Sequence, residues 1–131
     1  MLRNITVRDH MSTNLVTFTP DMGVFEGIRK LLSHKITGAP VLDEEGNLLG
    51  AFSEMDCLRV VLNAAYHEEM DGKIGEYMST DIQSVSPDAS IVEVAEMFQK
   101  SNLRHFPVIE DDKLIGLISR VDILRALVSI Y

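Results

Sequence analysis

Apolar residues recur along this chain with two periods, and each pattern occurs twice. Ile91, Val94, Ala95 and Phe98 stand at i, i+3, i+4 and i+7, which is one face of a helix. Ser90 and Glu93 at its start are the residue types that cap a helix N-terminus reciprocally. Val24, Gly27, Ile28 and Leu31 repeat that register less cleanly behind Pro20-Asp21, a dipeptide expected to open the helix. Leu58, Val61, Leu62 and Ala65 give a further helical stripe, and Leu124, Leu127, Val128 and Tyr131 match it later in the chain. The stripes 91/94/95/98 and 58/61/62/65 are predicted to face the core. Between the helices lie paired apolar runs. Residues 39–42 and 48–52 flank Glu44-Glu45-Gly46-Asn47, and residues 106–109 and 114–118 flank Asp111-Asp112-Lys113. Acidic residues with Gly or Asn between two such runs predict hairpins. A short helical turn is expected over 7–11 and an extended stretch over 15–18.

The patterns double because the chain is one unit written twice. Met11-Ser12-Thr13 returns as Met78-Ser79-Thr80, Pro20-Asp21 as Pro87-Asp88 and Pro40-Val41 as Pro107-Val108, each 67 residues later. Gly50, Ser53, Asp56, Leu58 and Arg59 return 66 residues later as Gly116, Ser119, Asp122, Leu124 and Arg125. The one lost residue falls between Val41 and Leu48, which marks a turn. An internal repeat decides the architecture ahead of local signals: residues 1–66 form one repeat, 67–73 a linker and 74–131 the second. At 131 residues each half is near the lower limit for an independent core, so the halves are expected to share one.

Composition narrows the function. With 46% hydrophobic and 24% charged residues the chain is an ordinary globule. A net charge of -8 argues against nucleic-acid binding, which needs a basic face, and against charge-driven binding to an anionic membrane. An anionic ligand must therefore find a local cluster of cations. No apolar run approaches the roughly 18 residues of a membrane span. Residues 1–10 lack the apolar centre of a signal peptide. One cysteine, Cys57, excludes an internal disulfide. A cytoplasmic location is expected. The four histidines show no metal-ligand spacing. Cys57 aligns with Ile123 and has no paired base. There is no phosphate-binding or dinucleotide glycine fingerprint. No catalytic residue, resident cofactor or metal site is expected.

Each hairpin ends in Gly-x-x-Ser-x-x-Asp: Gly50, Ser53 and Asp56, then Gly116, Ser119 and Asp122. A serine with an acid three residues on reads equally as a capping box. The glycine weakens a strand unless something approaches its backbone. With the order of elements and the twin Pro-Val strands, these endings make the chain resemble a tandem cystathionine-β-synthase (CBS) domain pair from about Thr6 to Ser129. The resemblance implies an α+β fold of two βαββα repeats about a pseudo-twofold axis, with small mixed sheets packed together and flanking helices. It also implies two clefts for adenosine-bearing ligands: AMP, ADP or ATP, with magnesium only for ATP, or S-adenosylmethionine. Asp56 and Asp122 would accept the two ribose hydroxyls, with Ser53 and Ser119 beside them. A carboxylate has the capacity for both. By the same resemblance, the Asp56 cleft receives Gln83, Ser84, Arg104, His105 and Pro107, and the Asp122 cleft receives Val16, Thr17, Thr37, Gly38 and Pro40. Arg104 and His105 would meet phosphate, whereas Thr37 and Gly38 offer no cation. Arg120 reads as a ligand contact or an exposed first-turn residue. Its twin, Glu54, disfavours triphosphate and favours a cationic adenosyl compound at the Asp56 cleft.

The expected function is a stand-alone regulatory, energy-sensing module that binds an adenine nucleotide and signals to an unknown effector protein, without catalysis. The alternatives are an S-adenosylmethionine-type sensor, a structural or interaction module with empty clefts, and a weak nucleotide hydrolase. A homodimer is expected because paired modules of this family commonly associate through their helices. Apolar residues also spill beyond one face in both closing helices, at Val60, Val61, Leu62, Ala64 and Ala65 and at Ala126, Leu127, Val128, Ile130 and Tyr131.

Overall fold

The computed structural model describes residues 1–67 and 71–130. Two 3-10 turns, Leu2–Asn4 and Val7–Asp9, come first. Then follow α1 (Val24–His34), β1 (Gly38–Leu42), β2 (Leu48–Ser53), α2 (Glu54–His67) and a single-turn α3 (Ile74–Tyr77). The second half gives α4 (Ile91–Gln99), β3 (His105–Glu110), β4 (Lys113–Ser119) and α5 (Arg120–Ile130). The expected linker falls partly on residues 68–70, which lie outside the described residues, as does Tyr131.

The fold is α+β. β1 pairs with β2 and β3 with β4, both antiparallel. A parallel bridge extends each hairpin on one edge, Phe18 beside Val41 and Val85 beside Val108. An antiparallel bridge extends the other edge, Ser79 beside Ala51 and Ser12 beside Leu117. The one-residue difference between the repeats falls in the turns. Asp111 and Asp112 turn the second hairpin at φ 51° and 67°. The longer first turn has Gly46 at φ 87°, and the Asp43 carboxylate accepts the N–H groups of Glu45 and Asn47.

The chain forms two compact units whose boundary is not that of the repeats. One is Val16–Ile82, and the other joins Met1–Leu15 to the chain from Gln83 onward. The opening segment of each repeat is thus built into the other repeat's unit. Val7 N–H donates to the Ala89 carbonyl and Arg8 N–H to the Pro87 carbonyl, both at 2.9 Å. In the other unit, Ile74 N–H donates to Met22 at 2.8 Å and Gly75 N–H to Pro20 at 2.9 Å. The expectation of one shared core is corrected by this exchange. Ile74 completes a buried cluster with Phe18, Val24, Leu31, Ala39, Val41, Phe52 and Val60. Val7 completes a second with Val85, Val94, Phe98, Phe106, Val108 and Ile118. Each unit fills its own interior because it borrows one apolar plug.

α4 buries Ile91, Val94 and Phe98, as its periodicity predicts, and Ser90 Oγ accepts the Glu93 N–H at 3.1 Å. α1 buries Val24, Gly27 and Leu31. The closing helices correct the second predicted stripe. α2 turns Asp56 and Val60 inward, leaving Leu58, Val61 and Leu62 at 55%, 59% and 53% exposure. α5 buries Ala126 and leaves Leu124 and Val128 exposed. These helices have two apolar faces. The inner one is broken by an aspartate, so periodicity selects the outer one.

Candidate functional site

Hairpin register assembles the candidate residues at one end of each sheet. In the first repeat Gly38 pairs with Ser53, and the Thr37 carbonyl accepts the Glu54 N–H at 2.9 Å. Val16 and Thr17 lead into Phe18, whose N–H donates to the Pro40 carbonyl at 2.9 Å. In the second repeat His105 pairs with Ser119, and the Arg104 carbonyl accepts the Arg120 N–H at 3.2 Å. Gln83 and Ser84 lead into Val85, whose N–H donates to Pro107 at 2.9 Å. Pro40 and Pro107 are buried, while Gln83, Ser84, Arg104 and Arg120 are exposed. Asp56 belongs to one unit and Arg104 and His105 to the other. Within the unit of this basic pair, the register sets Ser119 and Arg120 beside it.

The strand glycines answer to the chain itself. A Cβ on Gly50 would stand 2.5 Å from the Ser79 carbonyl oxygen. One on Gly116 would stand 2.9 Å from the Ser12 oxygen and 2.7 Å from Met11 Sδ. The borrowed Met-Ser segment lies against each glycine, and its serine exchanges two backbone hydrogen bonds with the strand. These join Ser79 to Ala51, both at 2.9 Å, and Ser12 to Leu117 at 2.8 and 3.0 Å.

The two aspartates sit in different chemistry. The Asp56 side chain is 3% exposed. One of its oxygens accepts the Ser53 N–H at 2.8 Å and the Ser53 hydroxyl at 3.1 Å. The other accepts Arg59 Nη2 at 2.6 Å and the Ser79 hydroxyl at 3.0 Å. Arg59 also donates to the Tyr77 carbonyl, and Asn63 Nδ2 to the Tyr77 hydroxyl at 2.7 Å. A carboxylate has about four acceptor positions, and here all are taken. Among the described residues Asp122 accepts one hydrogen bond, from the Ser119 N–H at 2.8 Å. Ser119 Oγ accepts the Asp122 N–H at 3.1 Å, completing a capping box. Arg125 stands 3.9 Å away, and the Asp122 side chain is 16% exposed.

At the second ending Arg104 and Arg120 are exposed beside His105, whereas Arg59, the cation at the first, is engaged by Asp56. Burial pushes the His105 imidazole below its ordinary value, so the neutral ring is favoured. Arg120 Nε donates to the Leu103 carbonyl at 2.9 Å. Its side chain borders a groove of 490 Å³ along Ala95, Phe98 and Ile123, which excludes Ser119 and Asp122. At the first ending, Glu54 is exposed beside Cys57, whose thiol burial and the nearby Asp56 and Glu54 charges push up. Arg59, Ser79 and Tyr77 are site residues that motif reading misses. The signal for Ser79 was the Met-Ser-Thr identity between the repeats and for Arg59 its recurrence as Arg125, while Tyr77, matched by His10, left none. Among the described residues no cluster of His, Cys, Asp or Glu could hold a metal ion, and no helix is long and apolar enough to cross a membrane.

Comparison with known proteins decides the family. The CBS domain model matches residues 7–63 and again 74–129. The chain belongs to the CBS domain family. CBSX2, a CBS-pair protein of Arabidopsis thaliana, has been solved in complex with AMP. It is 26% identical over 96% of this chain and 98% of its own, with a TM-score of 0.85. A CBS domain pair in complex with 5′-methylthioadenosine and S-adenosyl-L-methionine is 25% identical over 93% of this chain and 98% of its own, at a TM-score of 0.75. The A-adding tRNA nucleotidyltransferase of Aquifex aeolicus is 32% identical over 93% of this CBS pair, which spans 14% of that enzyme. An uncharacterized Methanocaldococcus jannaschii protein is 27% identical, and the pair spans 44% of it.

Proposed function

We propose that this CBS pair is a cytoplasmic regulatory module that binds an adenosine-containing small molecule and reports its level to a separate effector protein, without catalysis. The observation that carries the reading is the Asp122 carboxylate, which keeps most of its acceptor capacity at a partly open helix start. Two hydroxyls of a ribose fit that capacity. Ser119 stands beside it, and Arg104 and Arg120 at the same hairpin end supply cations for a phosphate, with the His105 ring next to them. Gln83 and Ser84 approach the same end. The relatives bound to AMP and to adenosyl compounds support the ligand class. At the other ending Ser53 and Asp56, with Val16, Thr17, Thr37 and Gly38, are the weaker candidates, because the Asp56 oxygens are already engaged. Glu54 there suits a cationic adenosyl ligand better than a phosphate.

The effector would read a ligand-dependent shift between two populated arrangements. We also propose a homodimer. The exposed stripes of α2 and α5, Leu58, Val61 and Leu62 with Leu124 and Val128, are of the kind that marks an interface. Thermal shifts with AMP, ADP, ATP, S-adenosylmethionine and adenosine, with and without magnesium, test the ligand. A ligand at about 100 times its Kd should add about 2.7 kcal/mol. The shift should be lost for dideoxy analogues and for Asp122→Ala. Equal shifts for AMP and its dideoxy analogue would sink the ribose assignment. A monomer mass of 14.7 kDa in sedimentation at micromolar concentration would sink the dimer.

A further inference from the structure

We infer that Arg59 and Ser79 latch Asp56 shut against hydroxyl ligands, so that the two identical Ser-x-x-Asp endings are filled in a set order, Asp122 first. The order of filling rests on the adenosine reading above, whereas the latch itself does not. The argument is one of acceptor capacity. Asp56 accepts four hydrogen bonds within the chain, two from Ser53, one from Arg59 and one from Ser79. A ribose diol brings two donors and must displace two. Exchanging the Ser79 hydroxyl for a sugar hydroxyl swaps like for like and gains little. Displacing Arg59 would also strip its hydrogen bond to the Tyr77 carbonyl.

The latch follows from sequence differences between the repeats. Ser12 occupies the position of Ser79, with the same pair of backbone bonds to the neighbouring strand. Yet among the described residues its hydroxyl does not reach Asp122, and Arg125 stays 3.9 Å from the carboxylate. What differs is Tyr77, whose hydroxyl accepts from Asn63 and draws the borrowed segment onto α2. The corresponding residues are His10 and Ser129, and Ser129 Oγ donates to the Ala126 carbonyl instead. Without that tie the second ending stays open.

Calorimetric titration with AMP separates the endings. The wild type should show one site at least about tenfold tighter than the other, the tighter abolished by Asp122→Ala. Ser79→Ala should strengthen the weaker site about tenfold, the equivalent of one hydrogen bond, while Ser12→Ala changes neither. Two equal sites, or a weaker site unmoved by Ser79→Ala, overturn the order. A double-mutant cycle in urea unfolding reads the latch without ligand. Asp56→Asn and Ser79→Ala should be coupled, and Asp122→Asn and Ser12→Ala additive. Additivity in both pairs overturns the latch. If Asp56→Asn does not fold, Asn63→Ala replaces it, because loosening Tyr77 should likewise couple to Ser79→Ala. Coupling without any AMP binding supports the latch and refutes the adenosine reading.

Discussion

The endings of the two repeats share Gly, Ser and Asp at the same spacing, yet one is a structural joint and the other an open carboxylate. Asp56 holds α2, the strand end and the borrowed segment together through four hydrogen bonds. Asp122 caps its own helix and holds little else. The difference lies in what is laid upon the motif, a segment carrying Tyr77 in one unit and His10 in the other. A short motif therefore fixes local geometry, while its neighbours decide whether the acceptor is spent on the fold or left for a ligand.

The widest gap between the endings should appear on deleting each carboxylate. Asp56→Ala leaves two part-buried hydroxyls, of Ser53 and Ser79, and the Ser53 N–H without their acceptor, and frees the exposed Arg59; it should destabilise by about 2–3 kcal/mol, mostly from the unsatisfied donors. Asp122→Ala removes a cap, worth about 1 kcal/mol. Urea midpoints at neutral pH measure both. Equal losses would erase the distinction between joint and open site.

The strand glycines sharpen the same comparison at smaller scale. A methyl on Gly50 stands 2.5 Å from a backbone oxygen held by a strand pairing, whereas one on Gly116 stands 2.9 Å from the equally held Ser12 oxygen and 2.7 Å from the flexible Met11 side chain. Overpacking of this kind costs about 1–3 kcal/mol. Gly50→Ala should fall near the top of that range and Gly116→Ala below it. If both fell within about 0.5 kcal/mol of the wild type, the borrowed segments would not be seated as described.

Much of this was legible in the chain. The helical face of Ile91, Val94 and Phe98 and both hairpins follow from period and turn chemistry, since each has one apolar side to hide. The family and its repeat follow from identities spaced 66 and 67 residues apart. Two things were not legible. The inward face of α2 carries Asp56, so a hydrophobic pattern alone selects Leu58, Val61 and Leu62 instead. The exchange of opening segments leaves no local mark, because Val7 and Ile74 are apolar plugs wherever they dock. Met-Ser-Thr recurs because each copy pairs with the other repeat's strand. Only the fold shows which strand receives it, and so shows that Ser79 consumes an acceptor on Asp56.

The smallest expected effect concerns His105, whose counterpart in the first repeat is Gly38 and cannot titrate. Burial lowers the folded-state value of His105 below the ordinary 6.5. Between those two values the unfolded chain binds more protons than the folded one, so stability rises with pH there. His105 thus costs the fold nothing above about pH 7. Its cost grows as pH falls from the ordinary histidine range toward the folded value. The exposed guanidinium-bearing residues Arg104 and Arg120 lie beside it. Urea midpoints of the wild type and His105→Asn should run parallel above pH 7. They should diverge as pH falls below the ordinary histidine value of 6.5, the wild type losing more. AMP should reverse that divergence if a phosphate sits against the ring, because a protonated imidazole then gains a partner. Parallel curves across the whole range would mean that His105 is as well solvated as the other histidines.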